Sequence, residues 1–168
     1  MNWPSKRDRE VEEINGFIES YKRLKHGRNL RVIEEREKPD RIVQDTETGE
    51  IFGIELTSEY IDNKSVPAKH KSNNYGYITD DQQKIDAYEK KILKRINEKV
   101  KKAREGYLLK CPLILSFYVN EYESIYMNEE YWRSFAKRND NFFDSIDPFL
   151  EVVFWSLPND LIVSVRKK

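Results

Sequence analysis

Cysteine is almost missing from this chain: Cys111 stands alone among 168 residues. One thiol excludes a disulfide framework and a thiolate metal cluster. Histidine is nearly as scarce. His26 and His70 have no cysteine or second histidine at ligand spacing, which argues against a zinc site. The six glycines form no phosphate-cradling loop, so nothing points to an NTPase or a dinucleotide enzyme. No nucleophile-elbow pattern surrounds any serine. Long hydrophobic runs are absent too, and the opening MNWPSKRDRE lacks the apolar core of a signal peptide. A soluble cytoplasmic protein without a membrane partner is the expectation. The charges balance, with 30 basic and 30 acidic residues. That removes the electrostatic prior for a dedicated nucleic-acid binder, although charge can still be separated across the surface.

What is present is enough for one packed domain over residues 1–168. Eight Phe, ten Tyr and three Trp set the chain apart from disordered sequences, which are poor in aromatics. Between Ser5 and His26 the apolar residues Val11, Ile14, Phe17, Ile18, Tyr21 and Leu24 step by three and four. Such spacing predicts a helix with one buried stripe, and Gly27 stands where a C-cap is expected. NLRVIEER reads as a strand. Two further strands, Arg41 to Asp45 and Glu50 to Thr57, are joined by the turn TETG, whose Gly49 can take a positive φ. The polar stretch Asp62 to Thr79 reads as a surface loop.

Thr79 and Gln82 form a capping-box pattern before a long helix reaching about Glu105, with Gly106 closing it. LILSFYV, from Leu113 to Val119, has the length and continuous apolarity of a strand covered on both faces. A short helix around Glu129 to Arg138 and two strands, near Leu150 to Ser156 and Leu161 to Val165, complete the chain. The fold class predicted is α/β, of the α+β kind, with one mixed sheet.

The chemistry is concentrated in KPDRIVQDTETGEIFGIELTSEY, Lys38 to Tyr60. Pairing the hairpin so that Asp45 faces Glu50 sets partner positions that sum to 95, and Asp40 then falls opposite Glu55. Directly opposed side chains share a face, with Cβ atoms about 4.5–5.5 Å apart. Two carboxylates so close raise one pKa unless a proton or cation is shared. The pair therefore invites a hard divalent cation held by oxygens. A bulge at Gly49 would instead set Glu55 opposite Arg41. Acids at strand ends are also common without any such role. Here Glu55 lies inside the apolar run FGIELT, where an unpartnered carboxylate is rarely tolerated, and Gly53 leaves room for close backbone approach.

Pro39-Asp40, a hairpin, then Glu55-Leu56-Thr57, with a helix before and a long helix after, resembles the PD-(D/E)XK nuclease superfamily. The resemblance implies a restriction-endonuclease-like core of helix, three strands, helix and strand, here followed by a helix and two strands. It also implies Mg²⁺- or Mn²⁺-dependent cleavage of nucleic acid, with DNA favoured. By the same resemblance Asp40, Glu55 and the Leu56 carbonyl are metal ligands. Glu10 is the candidate for the acid that the first helix often adds, and Glu13 is its rival. Thr57 departs from the pattern, because it stands where the superfamily carries Lys. A hydroxyl cannot supply the charge that offsets a developing phosphate anion. Lys64 or Lys84 could reach in from elsewhere, Gln83 could orient water, or catalysis is lost and the fold kept as a binding or interaction module. The long helix carries nine basic residues, among them Lys90, Lys91, Lys94 and Arg95, candidates for holding a phosphate backbone. A solvated face with i,i+4 ion pairs such as Glu98–Lys102 is the commoner reason for such a helix. A homodimer or a protein partner stays open.

Overall fold

The computed structural model describes residues 5–59, 82–107 and 111–166. Among these, α1 (Lys6–Tyr21) leads into β1 (Leu30–Glu35), β2 (Arg41–Asp45) and β3 (Ile51–Ser58). Next come α2 (Gln82–Gly106), β4 (Leu113–Tyr118) and three short helices, α3 (Glu121–Tyr126), α4 (Glu129–Arg138) and α5 (Asp140–Phe143). β5 (Phe149–Ser156) and β6 (Leu161–Arg166) close the described chain. The chain is a mixed α/β domain with six strands and five helices among the described residues. The helix expected at Glu129 to Arg138 is present as α4, and two further short helices, α3 and α5, flank it. The loop expected at Asp62 to Thr79, the Thr79 capping box, Lys64 and His70 lie outside the described residues. No described helix is long and apolar enough to cross a membrane.

The six strands lie in sequence order across one sheet. β1, β2 and β3 run antiparallel, β3, β4 and β5 run parallel, and β6 returns antiparallel to β5. Both parallel steps proceed in the same direction. Right-handed crossovers then put their helices on one face of the sheet, and α1 is left to cover the other.

The core follows that division. On one face Tyr88, Ile92, Ile96 and Val100 of α2 and Trp132 and Phe135 of α4 pack on Leu113, Leu115, Phe117 and Phe154. On the other face Ile14, Phe17 and Tyr21 of α1 meet Val43, Phe52, Ile54, Leu56 and Trp155. Strand side chains alternate in direction, so with Ile54 and Leu56 facing α1, Glu55 and Thr57 must face α2. α1 ends at Tyr21, six residues before Gly27, in a turn that closes on Gly27 N–H to Leu24 O at 2.9 Å. A β-carbon on Gly27 would fall 2.2 Å from Tyr21 O, so glycine is required there by a close approach and does not serve as the helix cap.

Candidate active site

The β2–β3 register pairs Arg41 with Ile54 and Gln44 with Ile51, the register expected from a four-residue turn. Gly49 has φ +79°, and its N–H donates to Asp45 O at 2.8 Å. At the open end of the hairpin Asp40 comes against Glu55. Gly53 makes that approach feasible, since a β-carbon there would sit 2.7 Å from Pro39 Cγ and 2.6 Å from Leu113 Cδ2. The proline preceding Asp40 thus rests over a strand position that carries no side chain.

Asp40 Oδ2 accepts the Leu56 N–H at 2.8 Å. N–H and C=O of one strand residue point to the same neighbouring strand, so the Leu56 carbonyl also faces the Asp40 side, past the last β2–β3 pair. Asp40 is pushed up to about 7, first by burial and then by its hydrogen bond to Glu55 and that carboxylate's charge. The Leu56 N–H and Lys99 oppose the rise.

Glu55 is only 3% exposed. Lys99 Nζ, from α2, donates to its Oε1 at 3.0 Å, and the Tyr107 hydroxyl donates to Oε2. The Tyr107 phenol is raised well above its usual range, first by burial and then by the bond to Glu55. Glu13 of α1 is also pushed up to about 7, by burial, then by Asp40 and Glu10, with Lys99 opposing. Its Oε1 is buried and accepts no hydrogen bond. Glu10 instead turns to Arg41 Nη1 at 3.7 Å and Lys6 Nζ at 3.9 Å. Arg41 is itself anchored by donating to the Asp40 carbonyl at 2.8 Å. Around these groups opens a cleft of about 610 Å³. Lys6, Arg36, Lys38 and Lys102 stand among its walls, with Asp40, Glu55 and Lys99.

The other expected residues are dispersed. Thr57 follows Glu55 on the same face but is buried and does not line the cleft. Gln83 and Lys84 occupy the first turn of α2, roughly 22 Å along the axis from Lys99 at 1.5 Å rise per residue. Lys90, Lys91, Lys94 and Arg95 are all exposed. At 100° per residue Lys91 and Arg95 share the side of α2 that carries Lys99 and Lys102, whereas Lys90 and Lys94 project from the other side. Arg95 reaches Glu59 at 3.2 Å.

Lys99, Tyr107 and Glu13 complete the cluster. Lys99 borders the stripe Ile92, Ile96, Val100, and Glu13 directly precedes Ile14, so their position at the margin of a buried face was the available signal. Tyr107 carried none. Among the described residues no three His, Cys, Asp or Glu side chains converge as a ready-made metal cluster. Comparison of the chain with family models, with curated proteins and with solved structures finds no match.

Proposed function

We propose that this cleft is the active site of a metal-dependent nuclease of the PD-(D/E)XK type, hydrolysing phosphodiester bonds of nucleic acid. The element order α1, β1–β3, α2, β4 is the one the resemblance implies for a restriction-endonuclease-like core. The observation that carries the reading is the pairing of half-buried Asp40 with buried Glu55 and the bond from Lys99 to Glu55.

The donor set fits Mg²⁺ or Mn²⁺ without a third protein carboxylate. Magnesium is commonly held by one or two carboxylates, with water and phosphate completing its shell. Asp40, Glu55 and the Leu56 carbonyl would hold the ion. A bound divalent ion supplies Lewis acidity and lowers the pKa of its water.

The chain's own residues do the rest. Lys99 brings to the pair the positive charge that Thr57 lacks, and such a charge offsets anion developing on a phosphate. Tyr107 fixes the orientation of the Glu55 carboxylate. Lys38 and Lys102, at the cleft wall, attract the phosphate backbone. DNA is the favoured substrate through the superfamily alone.

A second reading has its own observation. Both Glu55 oxygens are already engaged, by Lys99 and Tyr107, as in a self-neutralised site on a silent binding scaffold. Plasmid, linear duplex and single-stranded substrates in Mg²⁺ and in Mn²⁺ separate the two, with calorimetric titration of Mn²⁺ alongside. Cleavage by the wild type that disappears in both Asp40→Asn and Glu55→Gln, together with Mn²⁺ binding, supports the nuclease. Equal traces of cleavage in all three proteins and no Mn²⁺ heat would leave the silent scaffold.

A further inference from the structure

A second cleft, of about 500 Å³, opens where the parallel strands end. Ser58 is the last residue of β3, Tyr118 the last of β4, and Trp155 is one short of the end of β5. Crevices outside the carboxyl ends of parallel strands are the usual ligand positions of open α/β sheets. The volume lies within the range of about 300–1,000 Å³ typical of small-molecule sites. Lys6 and Glu10 line this cleft and the Asp40–Glu55 cleft alike, so the two adjoin along α1.

The floor is the half-buried Tyr118, held in place by Trp155 beneath it, which is only 3% exposed. Trp155 Nε1 donates to Ser116 Oγ at 2.8 Å, and the Tyr118 ring packs on Trp155 at 5.1 Å between centroids. Gly16 of α1 lies so close to this floor that a β-carbon would come within 2.9 Å of the Trp155 ring. Glu13 stands in the wall, where its buried Oε1 is an acceptor without a donor. Arg9 joins Lys6 as a lining cation, facing the acids Glu10, Glu12 and Glu13 of the same lining.

We infer that this second cleft receives an unpaired nucleobase of the strand whose phosphate lies over Asp40 and Glu55. The inference rests on the nuclease reading of the neighbouring cleft and narrows its substrate to nucleic acid with at least one unpaired nucleotide. Aromatic surface suits the π-face that every base presents. A carboxylate oxygen lacking a donor suits the N–H groups of a base's pairing edge, which are exposed in single strands and occupied in a duplex. Guanine, with two adjacent N–H donors, fits a carboxylate best. Lys6 and Arg9 lie where the attached phosphate would pass.

The test uses the full chain, ¹⁵N-labelled and kept in EDTA, titrated with dGMP and separately with deoxyribose 5-phosphate, which lacks a base. The expected result is dGMP-dependent shifts of the Trp155 indole and the Ser58 and Tyr118 amides, with at least tenfold tighter binding than the base-free phosphate. Tyr118→Ala should weaken dGMP about tenfold. Leu157→Trp, at an exposed turn residue lining the cleft, should do the same without touching the core. Equal affinity for the two probes, or shifts confined to the Asp40–Lys99 cleft, would overturn the base pocket. If duplex cleavage sensitive to Asp40→Asn accompanied that result, the nuclease reading would survive its loss. Pocket shifts in a protein that cuts no substrate would have the opposite meaning: the base site stands and the nuclease falls.

Discussion

One hairpin carries two acid pairs, and they have opposite fates. At the turn, Asp45 accepts the backbone N–H groups of Glu47 at 2.9 Å and Thr48 at 3.4 Å. Arg28 lies 3.6 Å from Asp45 and also pairs with Glu50. The Asp45 carboxyl is held below its ordinary range, chiefly by the Glu47 N–H. At the open end, Asp40 and Glu55 share the same register but receive one backbone N–H, one lysine and the Tyr107 hydroxyl, and Asp40 rises to about 7. The turn supplies donors because its backbone bends back on the side chain. The open end has no such backbone. One pair is therefore a structural latch, and the other remains electrostatically incomplete, which suits a site that takes a cation and an anionic substrate.

Substitutions at the two ends should separate most widely in catalysis. Asp40→Asn and Glu55→Gln are expected to reduce Mn²⁺-dependent cleavage by about 10³ or more, in line with removal of metal-centred transition-state stabilisation. Asp45→Asn and Glu50→Gln should leave the rate within about twofold. A comparable loss at both ends, measured by initial rates on one oligonucleotide, would erase the functional distinction.

Lys99 sharpens the comparison next. Lys99→Ala should lower cleavage by roughly 10²–10³, the cost of one electrostatic donor. Lys99→Arg should restore part of it, and both variants should keep a folded far-ultraviolet dichroism spectrum. Arg28→Ala, the matching cation at the turn, should affect melting temperature and not rate.

The pH dependence of stability should run in opposite directions at the two ends. An unperturbed aspartate titrates near about 3.9. Between that value and about 7 the folded chain holds a proton on Asp40 that the unfolded chain has released. Stability must therefore fall as pH rises through this window. Glu13, also raised to about 7, adds in the same direction. Asp40→Asn should flatten the slope and stabilise the protein at pH 8 by about 2 kcal/mol, read from urea melts at pH 5 and pH 8. For Asp45 the sign reverses. Its stabilisation is present above the ordinary aspartate range and is lost as pH falls through its lowered folded value.

The smallest effect belongs to the turn glycine. Gly49→Ala places a side chain at φ +79° and should cost about 1 kcal/mol in denaturant unfolding, with cleavage unchanged.

Much of the fold was legible because its signals are local. Arg41–Asp45, Leu113–Tyr118 and Glu129–Arg138 follow from apolar periodicity and turn chemistry within a few residues, and the hairpin register follows from the turn. The short helices α3 and α5 on either side of α4 were not legible. There Trp132 and Phe135 of α4 and Phe143 of α5 join one core cluster from two short segments that share no single period. In the site, the two acids could be found because one turn relates them. Tyr107 carried no signal, and the place of Lys99 beside the buried stripe did not say what it meets, because the two reach Glu55 across 52 and 44 residues of chain. Glu10 and Glu13 are nearly equivalent along the helix, and the position of Arg41 distinguishes them by drawing Glu10 away.

By itself the sequence determined the alternation of faces and narrowed the hairpin to two registers, since periodicity and turn geometry are properties of neighbouring residues; the structure has the one that sets Asp40 against Glu55. Only the tertiary structure decided which cation faces that pair, which first-helix acid keeps an unpartnered oxygen, and how the cleft adjoins an aromatic pocket. Those outcomes depend on how α1 and α2 settle on opposite faces of the sheet, and packing between distant segments sets that placement.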